Sequence, residues 1–311
     1  MSTRSDAPAG TGPGRPEPVT PTLLRAWPLP GGGSGKDDRG SVLVVGGARM
    51  TPGAALLAGV AALRSGAGRL TLAVAESAAV PLAVALPEAG VLALPETSSG
   101  SVEGAAAAEA AAAAAGSADA VLIGPGLDDK DQATALLRGL LAATAGRQRT
   151  RAPAVILDAF ALGSLPDLAG ELDPWRGRLI LTPNVTEAGI LLGRDADRLD
   201  RDIPELAEKY GAVVSCQGVI AQPAGDAGSG ASLWEITTGH GGLGTSGSGD
   251  VLSGTIAGLR ARGTTDAQAA CWGTHLHASA GDRLASRLGS LGYLARELTE
   301  ELPPLMMELS S

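Results

Sequence analysis

Between Thr245 and Leu259 the chain reads TSGSGDVLSGTIAGL, a run of Ser and Gly ending in an acid and continuing as apolar residues at helical spacing. A helix start alone would account for one small polar residue and for an acid in the first turn, where it meets the positive end of the dipole. It does not account for Gly244, Gly247 and Gly249 with Ser246 and Ser248 between them. Glycines at that density let the backbone approach a ligand closely, and the unpaired N–H groups of the helix start then face it, which suits an anion. Asp250 would repel a bare anion. Its place at the end of the loop points to a second task, taking a proton from a substrate hydroxyl beside a bound phosphate.

A loop of this kind needs strands to aim it. SVLVVGG at 41–47 reads as a buried strand ended by glycines, 51–68 has small and apolar residues at helical spacing, and RLTLAVAE at 69–76 returns to strand composition. The alternation continues through helix 103–115, strand 118–126, helix 130–143, strands 154–160 and 178–184, helix 203–210, strand 212–218, a hairpin-like piece at 219–238 and helices from 250. Strands alternating with helices imply one α/β domain with a mainly parallel central sheet and helices on both faces. Several strands end in Gly, Asp, Pro or Asn (VVGG, IGPG, LDAF, LTPN, CQG), and in open α/β sheets ligands lie outside those carboxyl ends, so the segments should converge on one crevice. Residues 1 to about 20 are rich in Pro, Gly and Ser and read as a disordered tail, with the folded domain over 21–311.

Bulk composition excludes partners more than it names them. With 311 residues, 44% of them hydrophobic, the chain can bury a full core, and with only 2% aromatics Ala, Leu, Val and Gly must fill it. A net charge of −9 and the scarcity of aromatic stacking platforms argue against nucleic acid and against an anionic membrane surface. Cys216 and Cys271 have neither metal-ligand spacing nor the density of a secreted scaffold, and no apolar run is long enough to span a bilayer, so a cytoplasmic protein is expected.

Other candidate residues have plainer readings. GGARMTPGAA at 46–55 lacks the spacing of a dinucleotide fingerprint. Asp158 at a strand end reads as a helix cap or a site acid, the cap slightly favoured, and Glu187 as a first-turn acid. His275, His277 and Asp282 could suggest a metal but lack a third ligand of matching spacing, so structural roles are expected. His240, before the Gly-rich loop, is either a ligand contact or an ordinary loop residue.

Taken in order, GSVLVVGGARMTPGAALLAGVAALRSGAG, the GPG at 124–126, LDAFAL, LTPNVTEAGILLG, the QG at 217–218, GTSGSGDVLSG and LGYLARELTEELP resemble the ADP- or ATP-dependent NAD(P)H-hydrate dehydratases of the ribokinase-like superfamily. The resemblance runs from about Pro21 to the end. It implies a single ribokinase-like domain and a repair reaction: the hydroxyl of the hydrated nicotinamide ring of NADHX or NADPHX is phosphorylated at the expense of ADP or ATP, with Mg²⁺, and phosphate then departs. By the same resemblance Asp250 is the catalytic base; Ala54, Gly126, Asn184 and Asp250 face the hydrate; Gln217, Gly218, Val219, Gly247, Ser248 and Gly249 face the nucleotide. No metal-ligating residues are assigned. No epimerase domain accompanies the motifs, so a separate NAD(P)H-hydrate epimerase is an expected partner, and a homo-oligomer is expected. Two positions depart from the family pattern: Asn184 stands where His is usual in TPHxGE, and Gln217 where Lys is usual in KG. Both can hydrogen-bond, and neither brings a positive charge to a phosphate. The same loop and acid would also serve a ribokinase-like small-molecule kinase, or a nucleotide-binding protein without turnover.

Overall fold

Four consecutive apolar side chains, Val42 to Val45, leave their strand no polar face to turn to water, so it must be covered on both sides. A computed structural model describes residues 15–33, 35–145, 152–224, 232–239 and 242–310, and all four of these side chains are buried in it. In chain order the strands are β1 (Glu17–Val19), β2 (Ser41–Val45), β3 (Arg69–Ala75), β4 (Gly90–Leu94), β5 (Ala120–Ile123), β6 (Ala154–Leu157), β7 (Leu179–Leu181), β8 (Val213–Cys216), β9 (Val219–Gln222) and β10 (Ser232–Ile236). The helices are α1 (Pro21–Ala26), α2 (Pro52–Arg64), α3 (Glu76–Ala85), α4 (Gly104–Ser117), α5 (Lys130–Thr144), α6 (Phe160–Gly163), α7 (Leu165–Leu168), α8 (Val185–Leu192), α9 (Leu199–Tyr210), α10 (Ser248–Ala261), α11 (Asp266–Leu288) and α12 (Ala295–Ser310).

The strands form one sheet in the order β1-β10-β9-β8-β7-β6-β5-β2-β3-β4. Every pair is parallel except those of β9, which runs against both β8 and β10. Alternation along β2 sends Val42 and Val44 into one core with α2, α10, α11 and α12, and Leu43 and Val45 into another with α4, α5 and α9. The mainly parallel sheet with helices on both faces is therefore as expected. After β2 the chain moves outward to β3 and β4, then returns to place β5 on the other side of β2. That reversal opens a crevice above the carboxyl ends of β2 and β5.

Small residues set how closely helices approach. A Cβ on Gly254 or Gly258 of α10 would lie 2.1 Å from the Ala58 carbonyl oxygen or 2.4 Å from that of Ala62, so α10 rests directly on the backbone of α2. The aromatic core is confined to a few large side chains, with Trp27, Trp175, Trp234 and Trp272 all fully buried.

Two readings need correction. Glu17–Val19, inside the segment expected to be a disordered tail, pairs in parallel with Trp234–Ile236 and buries Val19. Residues 1–14 lie outside the described residues. Helix α9 begins at Leu199 rather than at 203, and α3 and β4 occupy a stretch to which no element had been given.

Candidate active site

The crevice is floored by two glycine turns locked together. Gly47 N–H donates to the Pro125 carbonyl and Ala48 N–H to that of Gly126, both at 2.8 Å, and the Thr51 hydroxyl reaches the same Gly126 carbonyl at 2.8 Å. A Cβ on Gly46 would sit 2.0 Å from the Pro125 oxygen, so only glycine lets β2 and β5 end side by side in this way. Gly126, at φ +74°, lies against Ala54 of the first turn of α2, where an added Cβ would be 3.1 Å from the Ala54 methyl. The pair assigned to the hydrate by resemblance is thus one small-residue surface.

Gly247, at φ +89°, caps α10, and an added Cβ there would be 2.5 Å from Leu57 Cδ1 on α2. The start of α10 is therefore set beside the helix that carries Ala54. Gly249 and Asp250 fall in the first turn, where backbone N–H groups have no carbonyl one turn earlier within the helix. Ser248 is buried, with its hydroxyl 2.9 Å from His277 Nε2. Burial pushes His277 down to about 4, so its ring is neutral near pH 7. Asp250 is half-buried, and loss of solvent pushes its carboxyl up to about 6.

Asp158 was the acid that sequence reasoning undervalued. The following helix is capped at Ala159 without any side-chain bond, so the cap reading fails. Asp158 is only 5% exposed, and its Oδ1 accepts from the Thr182 hydroxyl at the end of β7 at 2.9 Å. Burial first, then the charge of Asp250, push it up to about 7. The signal available in the sequence was its place at a strand end; the groups around it come from β7 and α10, far away in the chain.

On the other side of α10 a cleft of about 530 Å³ is lined by Thr182, Asn184, Gln217, Gly218, Ser248 and Gly249 among others. Gln217 and Gly218, at φ +48° and +83°, form the two-residue turn between β8 and β9, the left-handed pair that a tight hairpin requires. Asn184 caps α8 in a reciprocal box, its Oδ1 accepting from Glu187 N–H and its own N–H donating to Glu187 Oε2, both at 2.9 Å. Gln217, Gly218, Ser248 and Gly249 are therefore brought together, and Asn184 lines the same cleft. Val219 opens β9 and is buried, and it does not line the cleft. No Lys or Arg is among the described lining residues. Arg49 is held by Glu96 at 2.5 Å, and Lys36 lies beside Gly68 at the opposite ends of the strands. Neither is among the described lining residues of the cleft.

The remaining candidates separate. His277 is bound to Ser248, while Asp282 accepts from the Thr238 hydroxyl and Gly239 N–H. His275 is buried with its Nδ1 unpartnered, and His240 lies outside the described residues. Among the described residues no three His, Cys, Asp or Glu side chains gather as a metal site. Both cysteines are free and buried, and burial holds their thiols protonated.

The family model for NAD(P)H-hydrate dehydratase matches residues 42–304. The chain belongs to the NAD(P)H-hydrate dehydratase family. A protein from Xanthomonas campestris pv. campestris named ADP-dependent (S)-NAD(P)H-hydrate dehydratase is 42% identical over 304 residues, covering 96% of this chain and 99% of its own. A bifunctional NAD(P)H-hydrate repair enzyme from Moorella thermoacetica is 36% identical over 277 residues, and the chain spans about half of its length. The ADP/ATP-dependent NAD(P)H-hydrate dehydratase of Bacillus subtilis, crystallised with ATP and Mg²⁺, superposes with a TM-score of 0.73 at 28% identity, covering 94% of this chain and 98% of that one. A ribokinase-like superfamily protein from Enterococcus faecalis, 23% identical with a TM-score of 0.75, shares the fold. Among the described residues no helix is long and apolar enough to cross a membrane.

Proposed function

We propose that this member of the family dehydrates NADHX or NADPHX to the reduced dinucleotide, using ADP or ATP. The observation that carries the reading is Asp250: a half-buried carboxyl in the first turn of a glycine-opened helix, between the Ala54–Gly126 surface and the cleft of Gln217 and Ser248. In this scheme the hydrate lies over Ala54 and Gly126 with its hydroxyl toward Asp250. Asp250 takes the hydroxyl proton as the oxygen forms a bond to the terminal phosphorus of the nucleotide, and the bond from that phosphorus to its bridging oxygen breaks, releasing AMP or ADP. Amides of Gly247, Ser248 and Gly249 supply hydrogen bonds to the charge on the phosphoryl group in flight. The C–O bond of the ester then breaks with its electron pair on phosphate, and loss of a neighbouring ring proton completes the removal of water.

In this reading Mg²⁺ is held mainly by the nucleotide phosphates, with Gln217 a neutral oxygen donor at the cleft. Such an ion supplies the positive charge that the lining side chains lack. Asn184 lies within reach of the nucleotide side, so its free amide hydrogens serve either ligand. A cytoplasmic homo-oligomer that works with an NAD(P)H-hydrate epimerase completes the reading.

The test is incubation with NADHX and ADP or ATP in the presence of Mg²⁺, following reduced-nicotinamide absorbance and free phosphate together. Dehydration gives both in equal amounts. A stable phosphate ester would make the protein a kinase, and nucleotide binding without either product would make it a non-catalytic homologue.

A further inference from the structure

His277 takes no part in the reaction outlined above, yet it and Asp282 hold the two ends of the chain segment that leads to Asp250. At the first end Asp282 of α11 accepts from the Thr238 hydroxyl and, at 2.8 Å, from Gly239 N–H. At the second, His277 Nε2 lies 2.9 Å from the hydroxyl of Ser248, the first residue of α10. Contacts between these ends are as close: a Cβ on Gly239 would lie 2.8 Å from that of Ala278, and one on Gly281 would lie 2.7 Å from Leu243 Cδ2. Residues 277, 278, 281 and 282 share one face of a helix, so α11 is the surface on which the segment rests.

On that surface His277 stands apart. It and Ser248 are 6% and 4% exposed, and both line the cleft of about 530 Å³. The ring is neutral near pH 7, so one of its nitrogens carries a proton and the other does not. Ser248 has a single hydroxyl proton, which goes either to the ring or to the cleft. Phosphate oxygens only accept. A phosphoryl group in the cleft therefore selects the arrangement in which His277 Nε2–H donates to Ser248 Oγ and the hydroxyl proton turns outward. With no Lys or Arg among the described lining residues, a fixed neutral donor of this kind matters more than it would beside a cation.

We propose that the Ser248 side chain donates a hydrogen bond to the transferred phosphoryl group, and that His277 is the positioning residue that turns it there. This rests on the reading of the loop ending in Gly249 as the place where nucleotide phosphate sits. No covalent bond to His277 forms or breaks, and its proton stays on the ring.

The test compares the parent with Ser248→Ala, His277→Leu, their double variant, and His277→Gln, whose amide N–H can still donate to Ser248. Ser248→Ala should lower kcat for NADHX dehydration about 10- to 100-fold and raise the KM for nucleotide, while the KM for NADHX stays within about threefold of the parent. His277→Leu should do the same. The double variant should lose no more than Ser248→Ala, because His277 acts only through that hydroxyl, and His277→Gln should recover most of the parental kcat. An unchanged kcat in Ser248→Ala, losses that multiply in the double variant, or a His277→Gln no better than His277→Leu overturns the proposal. Should His277→Leu fail to fold, Ser248→Ala and His277→Gln carry the test: a loss in the first with near-parental kcat in the second supports it, and any other pairing overturns it. If the parent fails to dehydrate NADHX, the reading of function fails, and calorimetry with ADP or ATP and Mg²⁺ decides instead. Ser248→Ala should then bind nucleotide about 3- to 10-fold more weakly than the parent, and equal affinity overturns the proposal.

Discussion

The spacing between α2 and α10 sets the distance from Ala54 to Asp250, and it rests on Gly254 and Gly258. Gly254→Ala would place a Cβ 2.1 Å from the Ala58 carbonyl oxygen and 2.7 Å from its Cα, about 1 Å inside contact with backbone that no rotamer change can move. Overpacking of this kind costs about 3 kcal/mol, at the upper end for core insertions because whole helices must part. Alanine returns about 1 kcal/mol of helix propensity relative to glycine, leaving a net loss of roughly 2 kcal/mol. For a domain of this size that is a fall in Tm of about 3 °C. The control is Gly53→Ala in the first turn of α2, where a Cβ would meet nothing within 4 Å and stability should hold or rise by up to about 1 kcal/mol. Urea unfolding followed by tryptophan fluorescence reads both, since Trp272 is buried in the same layer. The parting of the helices should also lower kcat for Gly254→Ala at temperatures where the protein remains folded. A Gly254→Ala variant as stable as the parent would refute the claim that backbone contact sets this spacing.

Other consequences are equally specific. Gln217→Lys should tighten nucleotide binding by about 1.5–3 kcal/mol, or roughly 10- to 150-fold, by calorimetry, because a charged donor replaces a neutral one at the turn; unchanged affinity would mean that phosphate does not reach this turn. Asn184→Ala removes the capping box of α8 and should cost about 1 kcal/mol in unfolding free energy. His277, pushed down to about 4 by burial, binds its proton less tightly folded than unfolded, so stability should fall as pH drops from about 6.5 through about 4, by up to about 3 kcal/mol. His277→Gln should flatten that part of the melting curve against pH.

What was legible in the sequence was whatever local composition could carry. Unbroken apolar runs such as Val42–Val45 and Val121–Ile123 announce strands covered on both faces, and the glycines after them announce the crevice. Glu17–Val19 gave no such signal, being three residues with a proline, and it is held by burial of Val19 and by pairing with an edge that the sequence does not show. Helix α3 contains Pro81 and β4 is a half-exposed edge strand, so neither has the periodicity that marks its type. At the site, Asp250 was readable from the loop that presents it. The burial of Asp158 was not, because an acid at a strand end can equally cap the next helix, and only the cap at Ala159 and the bond from Thr182 show that it does not. The loss of positive charge at Gln217 was visible, whereas the ion pair of Arg49 with Glu96 and the place of Lys36 beside Gly68 were not.

The central claim is that Asp250 removes the hydroxyl proton, and Asp250→Asn tests it most directly, with NADHX turnover and nucleotide affinity measured on the same preparation. Asparagine keeps the shape and caps a helix start as well as aspartate does, so folding and nucleotide binding should hold. Turnover should fall by about 10²- to 10⁴-fold. Turnover within a few-fold of the parent, whatever the change in Tm, would contradict the account.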